Sequence, residues 1–142
     1  MNNNKLARET LYIENKKIVI VKNDSVIYKS DDSGIKPLFF AFRTLGEKMN
    51  GCYCADRVVG KAAAWIYQEA KIKELYCDII TKKAKLILEN EGILVTAIEV
   101  IDYIKNRDKT DMCPVEKIAK NETSFEKLME NIEAFLIKIG DI

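Results

Sequence analysis

The chain has 142 residues, 48% of them hydrophobic and 32% charged, with 23 Lys+Arg against 22 Asp+Glu and no histidine. That length suits one domain, residues 1–142, with its own core, and a net charge of +1 provides no field for drawing in nucleic acid or a membrane surface. The missing histidine excludes Ser-His-Asp and Cys-His catalysis, imidazole bases and all-His zinc sites, so any chemistry runs on carboxylates, thiols, amines or backbone.

Residues 4–14 space their apolar positions as a short helix. Lys17-Ile18-Val19-Ile20-Val21-Lys22 and Ser25-Val26-Ile27-Tyr28-Lys29 flank Asn23-Asp24 and read as a β-hairpin. Asp31-Asp32-Ser33-Gly34 is a loop, and Pro37 opens a helix with Leu38, Phe39, Phe42 and Leu45 on its inner side, ending between Gly46 and Gly51. Strands and helices then alternate. A short strand at Cys52-Tyr53-Cys54-Ala55 is followed by a helix from about Arg57 to Ala70, and a strand at Glu74–Ile80 by a helix at Lys82–Asn90 stopped by Gly92. A strand at Ile93–Ile98 leads into a polar loop, 105–113. Pro114 starts a short helix, and Ser124–Ile139 is an amphipathic C-terminal helix with a Thr123-Ser124 cap. This order predicts a three-layer α/β/α sandwich around a mixed sheet of about five strands.

Cys52, Cys54, Cys77 and Cys113 follow no apolar signal segment. Cys52 and Cys54 alternate along one strand, about 6.5–7 Å apart, at the limit for an unstrained bridge. Reduced thiols in a cytoplasmic protein are the expectation. No apolar run reaches the roughly 18 residues needed to span a bilayer.

Two segments carry the chemistry. In the first, Asp56 to Trp65, Asp56 stands where a strand meets a helix and its carboxylate can cap free N–H groups. Val58, Val59, Ala62, Ala63 and Ile66 form a buried face, while Arg57, Lys61, Ala64 and Gln68 form another stripe. Gly60, inside that helix, marks a close backbone approach. In the second, Asn106 to Lys117, Cys113 caps the helix opened by Pro114, Glu116 reaches back from its third position, and the dipole lowers a thiol pKa there. The two helix N-termini converge into an anion site that Lys61, Arg107, Lys109 and Lys117 supplement. Asp56, Asp108, Asp111 and Glu116 oppose an anion or balance those cations. Trp65, Tyr67, Phe39 and Phe40 are core aromatics.

Cys54-Ala55-Asp56-Arg57 resembles the Cys-Ala-Glu-Arg signature that begins the first catalytic helix of cytidine deaminases. Cys113-Pro114-Val115-Glu116 resembles their second motif, Pro-Cys-x-x-Cys. More closely, Asp56-Arg57-Val58-Val59-Gly60-Lys61-Ala62-Ala63-Ala64 and the segment Asn106 to Lys117 together resemble a prokaryotic family of unknown function with a deaminase-like fold, over residues 17 to about 120. The resemblance implies zinc ligands at Cys54, Cys113 and Glu116 and a proton shuttle at Asp56. Glutamate in a ligand position and an aspartate one methylene short of the usual shuttle fit a fold whose zinc site has been lost, with no cofactor.

Three readings follow. In the first, a zinc-free deaminase-like protein binds a small polar or nucleotide-like ligand through Lys61, Asn106, Arg107, Asp108, Asp111 and Lys117. In the second, an enzyme of unassigned chemistry uses Cys113 as nucleophile or Asp56 as acid/base, with Glu116 completing the candidate catalytic set, or retains zinc-dependent deamination. In the third, an interaction module pairs its C-terminal helix or a sheet edge with another copy.

Overall fold

The computed structural model describes residues 2–106, 108–109 and 111–142. Helix α1 (Asn3–Ile13), capped by Asn2, whose side-chain oxygen accepts from the Lys5 amide at 3.1 Å, precedes the hairpin of β1 (Ile18–Lys22) and β2 (Ser25–Ser30). Helix α2 (Lys36–Leu45) has Pro37 in its first turn and continues into a 3-10 turn at Gly46–Met49. Strand β3 (Tyr53–Val59), helix α3 (Lys61–Ala70), strand β4 (Glu74–Thr81), helix α4 (Lys82–Asn90) and strand β5 (Leu94–Ile101) form the alternating half. Helices α5 (Pro114–Lys120) and α6 (Phe125–Lys138) close the chain.

The sheet order is β2-β1-β3-β4-β5. The hairpin is antiparallel, β1 runs antiparallel to β3, and β3, β4 and β5 are parallel. Helices on both faces make the expected α/β/α sandwich, but unequally. On one face α1 buries Ala7 and Leu11 against Val19, Val21, Ala55 and Tyr76. On the other, α2, α3, α4 and α6 pack a larger core around Ile20, Phe39, Cys54, Ile66, Leu75, Leu88 and Ile132. Burying each of the larger side chains contributes about 1.5–3 kcal/mol. No helix among the described residues is long and apolar enough to cross a membrane.

One boundary departs from expectation, and it matters for the site. The strand beginning at Tyr53 does not stop at Ala55; it continues through Asp56, Arg57, Val58 and Val59. Paired strands on both sides hold it extended: Asp56 lies opposite Ile18 on β1 and Cys77 on β4, and Val59 opposite Ile80. The β-branched pair Val58-Val59 suits that pleated environment better than a helical first turn. Helix α3 therefore starts at Lys61, and Gly60 is its N-cap rather than an interior residue. The predicted faces move with it. Val58 is 42% exposed instead of buried, and Ala64 is fully buried instead of lying on a solvent stripe.

Candidate functional site

A cavity of about 480 Å³ opens where the C-terminal half of β3 meets the start of β1, the first turns of α2 and α3, and the segment from Ile104 into α5. Its walls are largely apolar, with Ile18, Ile35, Leu38, Val58 and Val115 among them. Asp56, Cys113 and Glu116 all border it. The long loop closes on itself to bring the last two there. Lys105 bridges Met112, the Asn106 amide donates to the Asp111 carbonyl at 2.8 Å, and the Cys113 amide donates to the Ile104 carbonyl at 2.8 Å.

Asp56 does not cap a helix. Its Oδ1 accepts from the Arg57 amide at 2.8 Å and its Oδ2 from the Tyr67 hydroxyl at 2.6 Å. Burial raises its pKa from 3.8 to about 6, and the nearby Asp78 charge adds to this. The Tyr67 hydroxyl and the Arg57 and Val58 amides pull the other way and only partly offset burial. Tyr67, buried in α3, has its own pKa pushed well up by burial and by the Asp56 charge, so it stays a donor. Tyr67, expected only as a core aromatic, is the hydroxyl partner of Asp56. A tyrosine on a helix face rich in alanine carries a hydroxyl that needs a partner once buried, and that is the signal it offered.

Glu116 is 8% exposed. It does not reach back to its own helix as expected. Its Oε1 accepts from the Lys61 amide at 2.7 Å and its Oε2 from the Ala62 amide at 3.2 Å, so it caps α3 from across the interface. Gly60 leaves the space. A Cβ there would stand 2.2 Å from Glu116 Oε1 and 2.3 Å from its Cδ, so only glycine admits the carboxylate. The close approach expected at Gly60 is real, made by a side chain of α5. Lys61 completes the link by donating from Nζ to the Lys120 carbonyl at 3.3 Å, near the C-terminal end of α5.

Among the described residues, the predicted ligand-binding positions Lys61, Asn106, Asp108, Asp111 and Lys117 do not border the cavity. Lys61 is turned to Lys120 and lies over the Trp65 ring at 5.8 Å. Lys117 pairs with Asp111, which also accepts from the Met112 amide at 2.7 Å; these bonds hold the Asp111 carboxyl below the usual range. Asn106 shapes the loop through its backbone and Asp108 is exposed, while Arg107 lies outside the described residues. The converging anion site is corrected too, because the leading amides of α3 already hold Glu116, a carboxylate of the chain itself.

Nor does the implied zinc set assemble. Cys54 is fully buried in the middle of β3, its thiol pushed well up by burial, and it does not border the cavity with Cys113 and Glu116. Among the described residues no group of three or more His, Cys, Asp or Glu side chains could hold a metal ion. The helix that should open with the deaminase signature opens instead with Val59, Gly60 and Lys61, none of which offers a thiolate, imidazole or carboxylate ligand. Cys113 caps α5 without a side-chain hydrogen bond.

Arg57 is a strand residue with its guanidinium locked in place. Nε donates to the Lys16 carbonyl at 2.9 Å, Nη2 to the Leu11 carbonyl at 3.1 Å and Nη1 to Asp78 at 3.2 Å. Lys17 and Lys105 are the other cations bordering the cavity among the described residues.

The family model of TM1506, a domain of unknown function (DUF1893), matches residues 6–136. The chain belongs to the DUF1893 family. The crystal structure of the DUF1893 protein TM1506 from Thermotoga maritima, at 2.70 Å, superposes with a TM-score of 0.82 at 24% identity, covering 92% of this chain and 87% of that one. The two share the fold. Acinetobacter baumannii RibD in its form 1 aligns at a TM-score of 0.49 and 24% identity over 68% of this chain and 33% of its own length, a partial likeness that carries no weight for function. No curated protein matches.

Proposed function

We propose that this DUF1893 protein is a zinc-free, deaminase-like domain that holds a small polar, nucleotide-like ligand in the cavity beside β3. The observation that carries the reading is Asp56: a carboxyl bordering a cavity of about 480 Å³, fixed by Tyr67 and the Arg57 amide, with its pKa raised to about 6. A carboxyl kept in an unfavourable place and aimed at a pocket marks a functional group more often than a structural one. Three carboxylates, Asp32, Asp56 and Glu116, border the cavity, and the start of α3 is filled by Glu116. The ligand end that meets Asp56 is therefore an N–H donor or an amine rather than an anion. Apolar walls such as Ile18, Leu38 and Val58 suit a flat heterocyclic body. Against zinc in this site stand the buried Cys54, which does not border the cavity, and the absence of ligating side chains at Val59-Gly60-Lys61.

A thermal-shift screen with nucleosides, nucleotides, sugar phosphates and simple amines tests this. A binder at a hundredfold its Kd stabilises by about 2.7 kcal/mol. Donor-bearing heterocycles should raise the melting point of the wild type and not of Asp56→Asn. A shift only with sugar phosphates, or one untouched by Asp56→Asn, refutes the reading. The pKa of Asp56 near neutrality also supports a second reading, in which it exchanges a proton with the bound ligand. Turnover of a ligand found in the screen, rising or falling with a single ionisation near pH 6, separates an enzyme from a binder.

A further inference from the structure

The charged side chains that border the cavity differ in how much of their bonding is already taken up. Glu116 accepts from two amides of α3, and Asp56 accepts from the Tyr67 hydroxyl and the Arg57 amide. The Arg57 guanidinium is held by the Lys16 and Leu11 carbonyls and by Asp78. Lys17 and Lys105 are different. Both are exposed and border the cavity, and among the described residues neither ammonium is paired with a carboxylate.

Their backbones are nonetheless fixed. Lys17, just before β1, donates its amide to the Ser30 carbonyl at 2.8 Å and accepts from the Arg57 amide at 3.2 Å, one step along from the Ile18–Asp56 pair. Lys105 pairs with Met112 in an isolated bridge, next to the Cys113 bond to Ile104. Two ammonium groups on flexible four-carbon stems thus rise from anchored positions, one on the β1 wall and one on the segment that leads to α5. Asp32 is the other exposed charge on this border, so two cations stand there against one anion.

The apolar walls and Asp56 call for a flat body with an N–H donor, whereas the lysines call for negative charge. A ligand that satisfies both regions carries the two at opposite ends. A phosphate monoester holds about −1.5 to −2 charges at pH 7, which matches two ammonium groups better than a single carboxylate does. A cavity of about 480 Å³ is within the range that takes up a molecule of that size.

We infer that Lys17 and Lys105 form an anion end of this cavity, and that its ligand is of the nucleoside monophosphate class, with the ring at Asp56 and the phosphate between the two lysines. The inference rests on the proposed reading of Asp56 and supplies the other end of the ligand. Lysine binds phosphate as a point charge rather than as a rigid fork, so the stems need only close on the phosphate as it arrives.

Isothermal titration calorimetry with the common ribonucleosides and their 5′-monophosphates reads this directly. At low salt a monophosphate should bind about tenfold tighter than its own nucleoside, and the ratio should shrink at about 500 mM salt, where exposed charges are screened. In the double variant Lys17→Ala/Lys105→Ala that ratio should fall to about one, while Lys17→Arg/Lys105→Arg should keep it. Both residues are exposed, so melting curves of these variants should match the wild type and show that the fold is intact. A nucleoside whose binding is lost in Asp56→Asn, but which gains nothing from its phosphate, overturns this inference and leaves the reading of Asp56 standing. A phosphate gain that survives the double alanine variant also overturns it. Binding by no nucleoside and no monophosphate overturns both.

Discussion

Asp56→Asn separates the cost of a carboxyl from the contacts it makes. Asparagine mimics the neutral acid: its oxygen can accept from the Arg57 amide, which reaches Asp56 Oδ1 at 2.8 Å, while its NH2 takes the place of Oδ2, where the Tyr67 hydroxyl at 2.6 Å turns to accept instead of donate. Only the ionisation is lost. Folding raises the Asp56 pKa from 3.8 to about 6, so the folded state binds its proton more tightly than the unfolded chain does. Between those values stability falls as pH rises. Below about pH 4 the group is neutral in both states and costs nothing; above about pH 7 it is ionised in both and the whole penalty is present. A shift of about two pH units corresponds to about 3 kcal/mol, and water reaching the cavity reduces this to about 2 kcal/mol. For a chain of this size that is about 4–8 °C. Paired melting curves of wild type and variant from pH 4 to 8 provide the assay, and the difference between the two cancels every other titrating group. The variant should match the wild type near pH 4 and exceed it by about 2 kcal/mol at pH 7.5. Curves that stay parallel across the range, or a variant less stable at pH 7.5, would refute the argument that Asp56 sits in a costly place.

Other expectations are briefer. Gly60→Ala should expel the Glu116 carboxylate and strip the Lys61 and Ala62 amides of their acceptor, costing about 2–4 kcal/mol by denaturant titration. In that background Glu116→Ala should cost almost nothing further, and additive effects would show that the two are not coupled. Arg57→Lys keeps a charge but cannot reach the Lys16 and Leu11 carbonyls and Asp78 together, so a loss of about 1–2 kcal/mol is expected. Cys52, Cys54 and Cys77 are buried and burial pushes each thiol up, whereas Cys113 is partly exposed. Alkylation of the native protein should therefore add one label by mass spectrometry and four after unfolding, and a second label in the native state would contradict that packing.

Where neighbours in sequence decide a conformation, the fold was readable. Ser124 accepts from the Lys127 amide as a cap should, and α4 runs from Lys82 to Asn90 as its spacing predicts. The error at Asp56 has the opposite origin. An aspartate before a run of small residues satisfies every local rule for an N-cap, but β1 and β4, distant in sequence, hold it extended. That displacement also carried Lys61 away from the cavity, because its predicted stripe assumed a helix starting four residues earlier. Cys113 and Glu116 were legible as candidates because they stand where a loop runs into α5, whereas Asp56 was singled out at a junction that the structure moves to Gly60. The walls from Ile35 to Leu38 and the contribution of Lys17 were not, since nothing near them in sequence announces which distant strand they will face.

Of the three carboxylates that border the cavity, the fold treats Asp56 and Glu116 in opposite ways. Glu116 receives two backbone amides at a helix N-terminus, and the chain keeps a glycine at position 60 to admit it. Those two bonds tie α5 to α3. Asp56 receives one amide and one hydroxyl within hydrogen-bond range, burial outweighs both, and the charge of Asp78 adds to the cost. A buried carboxyl of purely structural value would be replaced at a gain by asparagine, which keeps the Arg57 contact and can donate its NH2 to the Tyr67 oxygen without the charge penalty. Retaining the acid where the amide would be more stable is the physical reason to place the ligand contact at Asp56 and the scaffold role at Glu116.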